Sequence, residues 1–94
     1  MKNKQIIGVD VSKNSLDVFI LKANHYYQVE NNSVGFVYLL QEATQVLSIS
    51  KNHLHFCFEN TGCYSKQLSV FLQDAGIAVS LSAILRRSFS AMFI

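Results

Sequence analysis

Proline and tryptophan are absent from this 94-residue chain, and cysteine and glycine are scarce, at two and four residues. Without proline there is no Pro-rich linker, and neither an internal repeat nor a low-complexity run divides the sequence, so it reads as one small domain. The two cysteines, Cys57 and Cys63, are too few for a disulfide framework and are expected to stay reduced. A large excess of one charge is missing as well: eight basic and six acidic residues leave a formal charge of +2. That balance lacks the electrostatic footprint of a strong nucleic-acid binder, so composition by itself does not suggest DNA. Long apolar runs are interrupted. The run after the N-terminal lysines is cut at Asp10, and the stretch from Ala75 to Ile94 is broken by Arg86 and Arg87. Those breaks argue against a signal peptide or a membrane span and for a soluble cytoplasmic protein.

Half of the residues are apolar, enough for one sheet and a few helices around a modest core. Gln5 to Val11 reads as an apolar strand with Asp10 near its far end, followed by a polar turn, Ser12 to Ser15. Leu16 to Leu21 is the returning strand of a hairpin, and His25 to Glu30 a third strand closed by Asn31 and Asn32. From Ser33 the period becomes helical, with Phe36, Leu39, Leu40, Ala43 and Leu47 on one stripe and Asn32 or Ser33 as the cap. His53 to Phe58 alternates again: Leu54, Phe56 and Phe58 face one way, His53, His55, Cys57 and then Glu59 the other. After the turn Asn60, Thr61, Gly62, the residues Tyr64, Leu68, Phe71, Leu72 and Ala75 trace a second helix that Gly76 suits as a left-handed C-cap. Ile77 to Leu81 is a fifth strand, and from Ser82 onward no pattern is visible.

The first and fourth strands are separated by a segment long enough to hold a helix. The spacing therefore predicts parallel neighbours in one sheet, with their C-terminal ends side by side. Asp10 and Glu59 occupy those ends, where ligand sites form in open α/β sheets. Two carboxylates brought together between apolar strands repel unless a cation or a shared proton compensates, and hard oxygen donors suit Mg²⁺ or Mn²⁺. Such an ion activates water and stabilises charge developing on phosphorus during an in-line displacement, which points to phosphodiester chemistry. Spacing alone is equally compatible with two solvated strand-end acids.

The stretch Gly8, Val9, Asp10, Val11, Ser12, Lys13, followed by Leu16, Asp17 and Val18, resembles the opening of the insertion-sequence transposase family numbered one hundred and ten. Asn32 with Gly35, Phe36 and Leu39 resembles that family's first helix. Phe58, Glu59, Asn60, Thr61, Gly62, Cys63, Tyr64 and Ser65 resemble its Glu, Thr, Gly, Tyr segment, and Gly76, Ile77 and Val79 its next strand. These four pieces, in order, cover residues 5 to 81.

The resemblance implies an α/β ribonuclease H-like mixed sheet, three antiparallel strands and then helix, strand, helix, strand. It is shared with RuvC-type Holliday-junction resolvases and Piv-type DNA invertases. It also implies an Asp, Glu, Asp, Asp metal site that uses Mg²⁺ or Mn²⁺, with Asp10 at the first Asp and Glu59 at the Glu. The implied activity is metal-dependent DNA strand cleavage and rejoining during transposition and recombination. The implied partners are the element's DNA ends, a target DNA, a structured guide RNA and further copies of the transposase, with no membrane. The family's other two aspartates lie on a helix beyond the fifth strand, and its strand-exchange serine lies in a separate C-terminal domain; neither has a match here. Where the family carries an Asn-Pro pair, this chain reads Ser80, Leu81, Ser82, Ala83. The expectation is a partial catalytic domain over residues 1–81, inactive alone and with weak metal affinity, then a divergent tail over 82–94 that a frameshift or premature stop near residue 80 would produce.

Other residues have competing readings. Asp17 is expected to run back along the second strand, away from Asp10, as a surface residue. Ser12, Lys13, Thr61, Gly62, Tyr64 and Lys66 are candidate nucleic-acid contacts: Thr61 and Gly62 stand at a helix N-terminus, Lys13 and Lys66 could meet phosphates, and Tyr64 could stack on a base. Turn chemistry for Ser12, capping for Thr61 and anchoring of the second helix for Tyr64 are the plainer alternatives. His53, His55, Cys57 and Cys63 form only a nominal zinc set, since side chains at i and i+2 rarely converge on one tetrahedral ion. Two functional rivals remain: a non-catalytic remnant or binding module of the same fold, and an actin-like ATPase or sugar kinase. The ATPase reading needs glycine in the first turn, where this chain has Val11, Ser12, Lys13.

Overall fold

A seven-residue run in which Ile7, Val9 and Val11 alternate with less apolar positions forms the first strand, β1 (Gln5–Val11). The computed structural model describes residues 4–59 and 62–82 of the chain. β1 turns back into β2 (Ser15–Ile20), and β2 pairs antiparallel with β3 (His25–Glu30). Leu16, Val18 and Ile20 of β2 lie on the same buried face as the three β1 residues. β2 stops at Ile20, one residue short of the sequence expectation, because the Leu21 carbonyl accepts the Asn24 amide at 3.2 Å and enters the turn.

Helix α1 (Ser33–Leu47) starts where Asn32, with extended backbone, accepts the Gly35 amide on its side-chain oxygen at 2.8 Å. It ends at Ser48, in a left-handed conformation with φ 55°. A short 3₁₀ turn over Lys51–His53 precedes β4 (Leu54–Glu59), so His53 lies outside the strand in which the alternation had placed it. The bond from His53 N–H to Ser50 carbonyl at 3.1 Å holds it in that turn.

Helix α2 (Cys63–Asp74) ends as the glycine signal suggests. Gly76 has φ 75°, its amide bonds the Gln73 carbonyl, and the Ile77 amide reaches back to Leu72, each at 3.0 Å. This double closure is a Schellman motif, with Ile77 buried beneath it. β5 (Ala78–Ser82) follows.

The five strands form one mixed sheet in the order β3-β2-β1-β4-β5, with β1, β4 and β5 mutually parallel. Phe36, Leu39 and Ala43 of α1 and Leu68 and Leu72 of α2 join the buried faces of β1, β2 and β4 in one apolar cluster. Both helices therefore cover the same side of the sheet. Phe36 and Phe71 seal the helix–helix seam, with ring centroids 5.2 Å apart. The architecture is α/β, as the sequence pattern indicates. The tail from residue 83 lies outside the described residues, as do Arg86 and Arg87. Among the described residues no helix is long and apolar enough to cross a membrane.

Candidate metal centre

The β1–β4 ladder runs in register from Gln5 opposite Leu54 to Val9 opposite Phe58. Val9 and Phe58 both point into the core, at 1% and 0% exposure. By the alternation of strands, the next residues, Asp10 and Glu59, turn to the opposite face of the sheet, and both are half-buried there. The register thus puts the two acids at the ends of neighbouring parallel strands, on one face of the sheet.

Asp17 is not where the hairpin direction was expected to send it. The β1–β2 register sets Asp10 directly opposite Asp17, so the two carboxylates share a face and a cross-strand position. The tight turn is the reason: once β1 reverses at Ser12 and Ser15, the third residue on each side is paired. Asp17 is nonetheless held toward β3. Its Oδ1 accepts the Tyr26 hydroxyl at 2.7 Å and the Gln28 side-chain amide at 2.9 Å. Losing the proton it donates to Asp17 would cost Tyr26 that bond, which raises its pKa above the ordinary 10.0.

The surrounding turns are closed by named bonds. Ser12 donates its amide and its hydroxyl to the Ser15 carbonyl, both at 3.0 Å, so turn chemistry accounts for it and its amide is not offered to a phosphate. Lys13 is exposed at the tip of that turn, and Lys66 is exposed on α2. Gly62 is the N-cap of α2, with φ 69° and no side-chain cap, while Thr61 lies outside the described residues.

Tyr64 does not anchor α2: it is 43% exposed, and Ser65, Leu68 and Leu72 make the buried stripe instead. The apolar-only reading of that helix missed a small polar residue in the first buried position. Ser65 fits there with its hydroxyl directed to the Gly62 carbonyl at 3.4 Å.

Sequence reasoning also missed Asn31. Its backbone amide donates to the Asn14 carbonyl at 3.0 Å, and its side-chain amide donates to the Ser12 carbonyl at 2.8 Å and the Tyr64 carbonyl at 2.9 Å. One residue thereby ties the turn after Asp10 to the first turn of α2. No local motif announces this, because those side-chain partners are 19 and 33 residues away in the chain.

Two carboxylates on one face at neighbouring strand ends are hard oxygen donors of the kind a divalent cation takes as part of its shell. Among the described residues no group of three or more His, Cys, Asp or Glu side chains is placed to hold a metal ion, so a complete shell requires donors beyond this pair. The nominal zinc set does not gather: His53 is in the 3₁₀ turn, His55 pairs with the Ser80 hydroxyl at 2.7 Å, and Cys63 is exposed at the start of α2. Burial pushes the Cys57 thiol above its ordinary pKa, away from the thiolate a metal would need. No protein-family model matches the chain, and no curated protein matches it at a significant level.

Proposed function

We propose that the chain is the N-terminal part of a ribonuclease H-like DNA transposase domain, of the kind found in the insertion-sequence family it resembles. In this reading Asp10 and Glu59 supply two of the acids that hold Mg²⁺ or Mn²⁺ for strand cleavage and rejoining. The observation that carries the reading is the parallel β1–β4 register ending at Val9 and Phe58, beyond which both acids emerge on one face. The strand order and the position of α1 between β3 and β4 are compatible with it.

When bound, the metal would polarise the scissile phosphate and lower the pKa of an attacking water. The chain's own residues would orient it: the two carboxylates would bind, and the exposed Lys13 and Lys66 are candidate phosphate contacts. The partners in this reading are the element's DNA ends, a target DNA, a structured guide RNA and other transposase copies, in the cytoplasm.

The isolated chain is expected to be inactive. Within these 94 residues no acid follows Asp74, so the isolated chain carries only two of the four acids in the family's set. Among the described residues no group of three or more His, Cys, Asp or Glu could hold a metal, which favours a second reading, a binding module that keeps the fold without the chemistry.

A chimera separates the two readings. Residues 5–82 would replace the corresponding segment of an active transposase of that family. Metal-dependent cleavage by the chimera, abolished by Asp10→Asn, supports the catalytic reading. A folded chimera that binds DNA but does not cut supports the module.

A further inference from the structure

The ladder between β1 and β4 stops at Val9 and Phe58, although β1 continues to Val11 along β2. Beyond that point Asp10 is paired with Asp17 of β2 and Glu59 with Ser82 of β5, so each acid-bearing strand end is held from its outer side. Asn31 adds a link between the segments that follow the two acids.

It follows β3 directly, at the same edge of the sheet as the C-terminal ends of β1 and β4, because β1 and β3 both run antiparallel to β2. Its side-chain nitrogen donates both to the Ser12 carbonyl, two residues after Asp10, and to the Tyr64 carbonyl, in the first turn of the helix entered after Glu59. Its backbone amide grips the same hairpin turn at Asn14. An asparagine side chain has two N–H donors on one planar nitrogen, so a single group spans both segments at fixed geometry.

We propose that Asn31 is a positioning residue. It clamps the Asp10-bearing turn to the start of α2 and so sets the spacing at which Asp10 and Glu59 meet a divalent cation. This inference rests on the metal reading of the pair. The hydrogen bonds of Asn31 go to backbone carbonyls, so it acts through the backbone that carries the carboxylates. Removing such supporting groups lowers metal affinity by roughly 10- to 100-fold in well-formed sites.

The test compares Asn31→Ala and Asn31→Asp with Asn32→Ala in the full chain. Asn32 is the neighbouring N-cap of α1, so its loss destabilises the fold without touching the clamp. Mn²⁺ affinity is measured by titration, and the amide shifts of Asp10 and Glu59 are followed in metal-free protein by NMR. Both Asn31 variants are expected to weaken Mn²⁺ binding about tenfold and to move the two amides, while Asn32→Ala leaves both readouts near wild type at a comparable loss of thermal stability.

Unchanged affinity in Asn31→Ala, with binding still lost in Asp10→Asn, overturns the clamp alone. So does an equal effect from Asn32→Ala. A wild-type chain that binds no Mn²⁺ overturns the metal reading itself, and the clamp's purpose with it.

Discussion

At the scale of single residues, the groups that fix this chain's geometry are mostly polar ones with distant partners. The Tyr27 hydroxyl donates to the Leu39 carbonyl at 2.6 Å, pinning β3 to α1. Burial, reinforced by the Glu42 carboxylate, raises its pKa well above 10.0. Ionisation is thus penalised in the folded chain and not in the unfolded one. The tyrosine's contribution is complete below its ordinary pKa of 10.0 and is lost as pH rises beyond it toward the folded value. Tyr27→Phe should cost about 1 kcal/mol at neutral pH and should flatten the alkaline fall in stability, both read from urea unfolding across pH 7 to 11.

Gly35 has a different constraint: a Cβ there would collide with the Glu30 carbonyl oxygen. Gly35→Ala should therefore destabilise by about 2 kcal/mol, measurable as a drop in Tm.

Asp10 and Glu59 stand out in the sequence because each is the lone acid near the end of an apolar strand. Asp17 was misplaced because its position depends on where the hairpin reverses, and a one-residue difference there decides which side chains face each other. Asn31 was illegible because asparagine in a loop is a common turn former and its role lies in partners that only the tertiary structure brings near.

At the scale of elements, strand alternation and helix caps specify most of what forms. β3 and β1 have the bounds that periodicity indicates, and α1 is capped by Asn32, one of the two residues expected to cap it. Asn32→Ala removes that cap and should lower stability by about 1 kcal/mol, seen in thermal unfolding.

The edges of β4 and α2 were harder to place, for physical reasons. His53 continues the alternation in sequence, yet its amide closes a 3₁₀ turn on Ser50. Ser65 takes a core position because the stripe of Leu68 and Leu72 needs a small residue one helical turn earlier, which no hydrophobicity pattern marks. Phe56, fully buried in β4 between β1 and β5, carries the fold more heavily than either. Phe56→Ala should cost about 3 to 5 kcal/mol, much of the stability of so small a domain, and should abolish cooperative unfolding or leave it barely detectable.

At the scale of the whole molecule, the fold separates two jobs. Both helices and the apolar cluster occupy one side of the sheet, while Asp17, Asp10 and Glu59 lie in turn on β2, β1 and β4 on the other, at the end where strands meet loops. A site there can change its ligands without disturbing the core, and the core can be substituted without changing the acids. The α/β class and the parallel pairing of β1 with β4 followed from element order, since a helix between two strands brings them parallel. The chemistry was less legible, because two acids at strand ends look the same in sequence whether they bind a metal or water.

If Asp10 and Glu59 act together on a divalent cation, as proposed, Mn²⁺ titration followed by amide NMR will show it. The predicted result is paramagnetic broadening centred on the ends of β1 and β4, removed by Asp10→Asn in a protein that stays folded. Broadening spread over scattered surface carboxylates, or unchanged by Asp10→Asn, would contradict it.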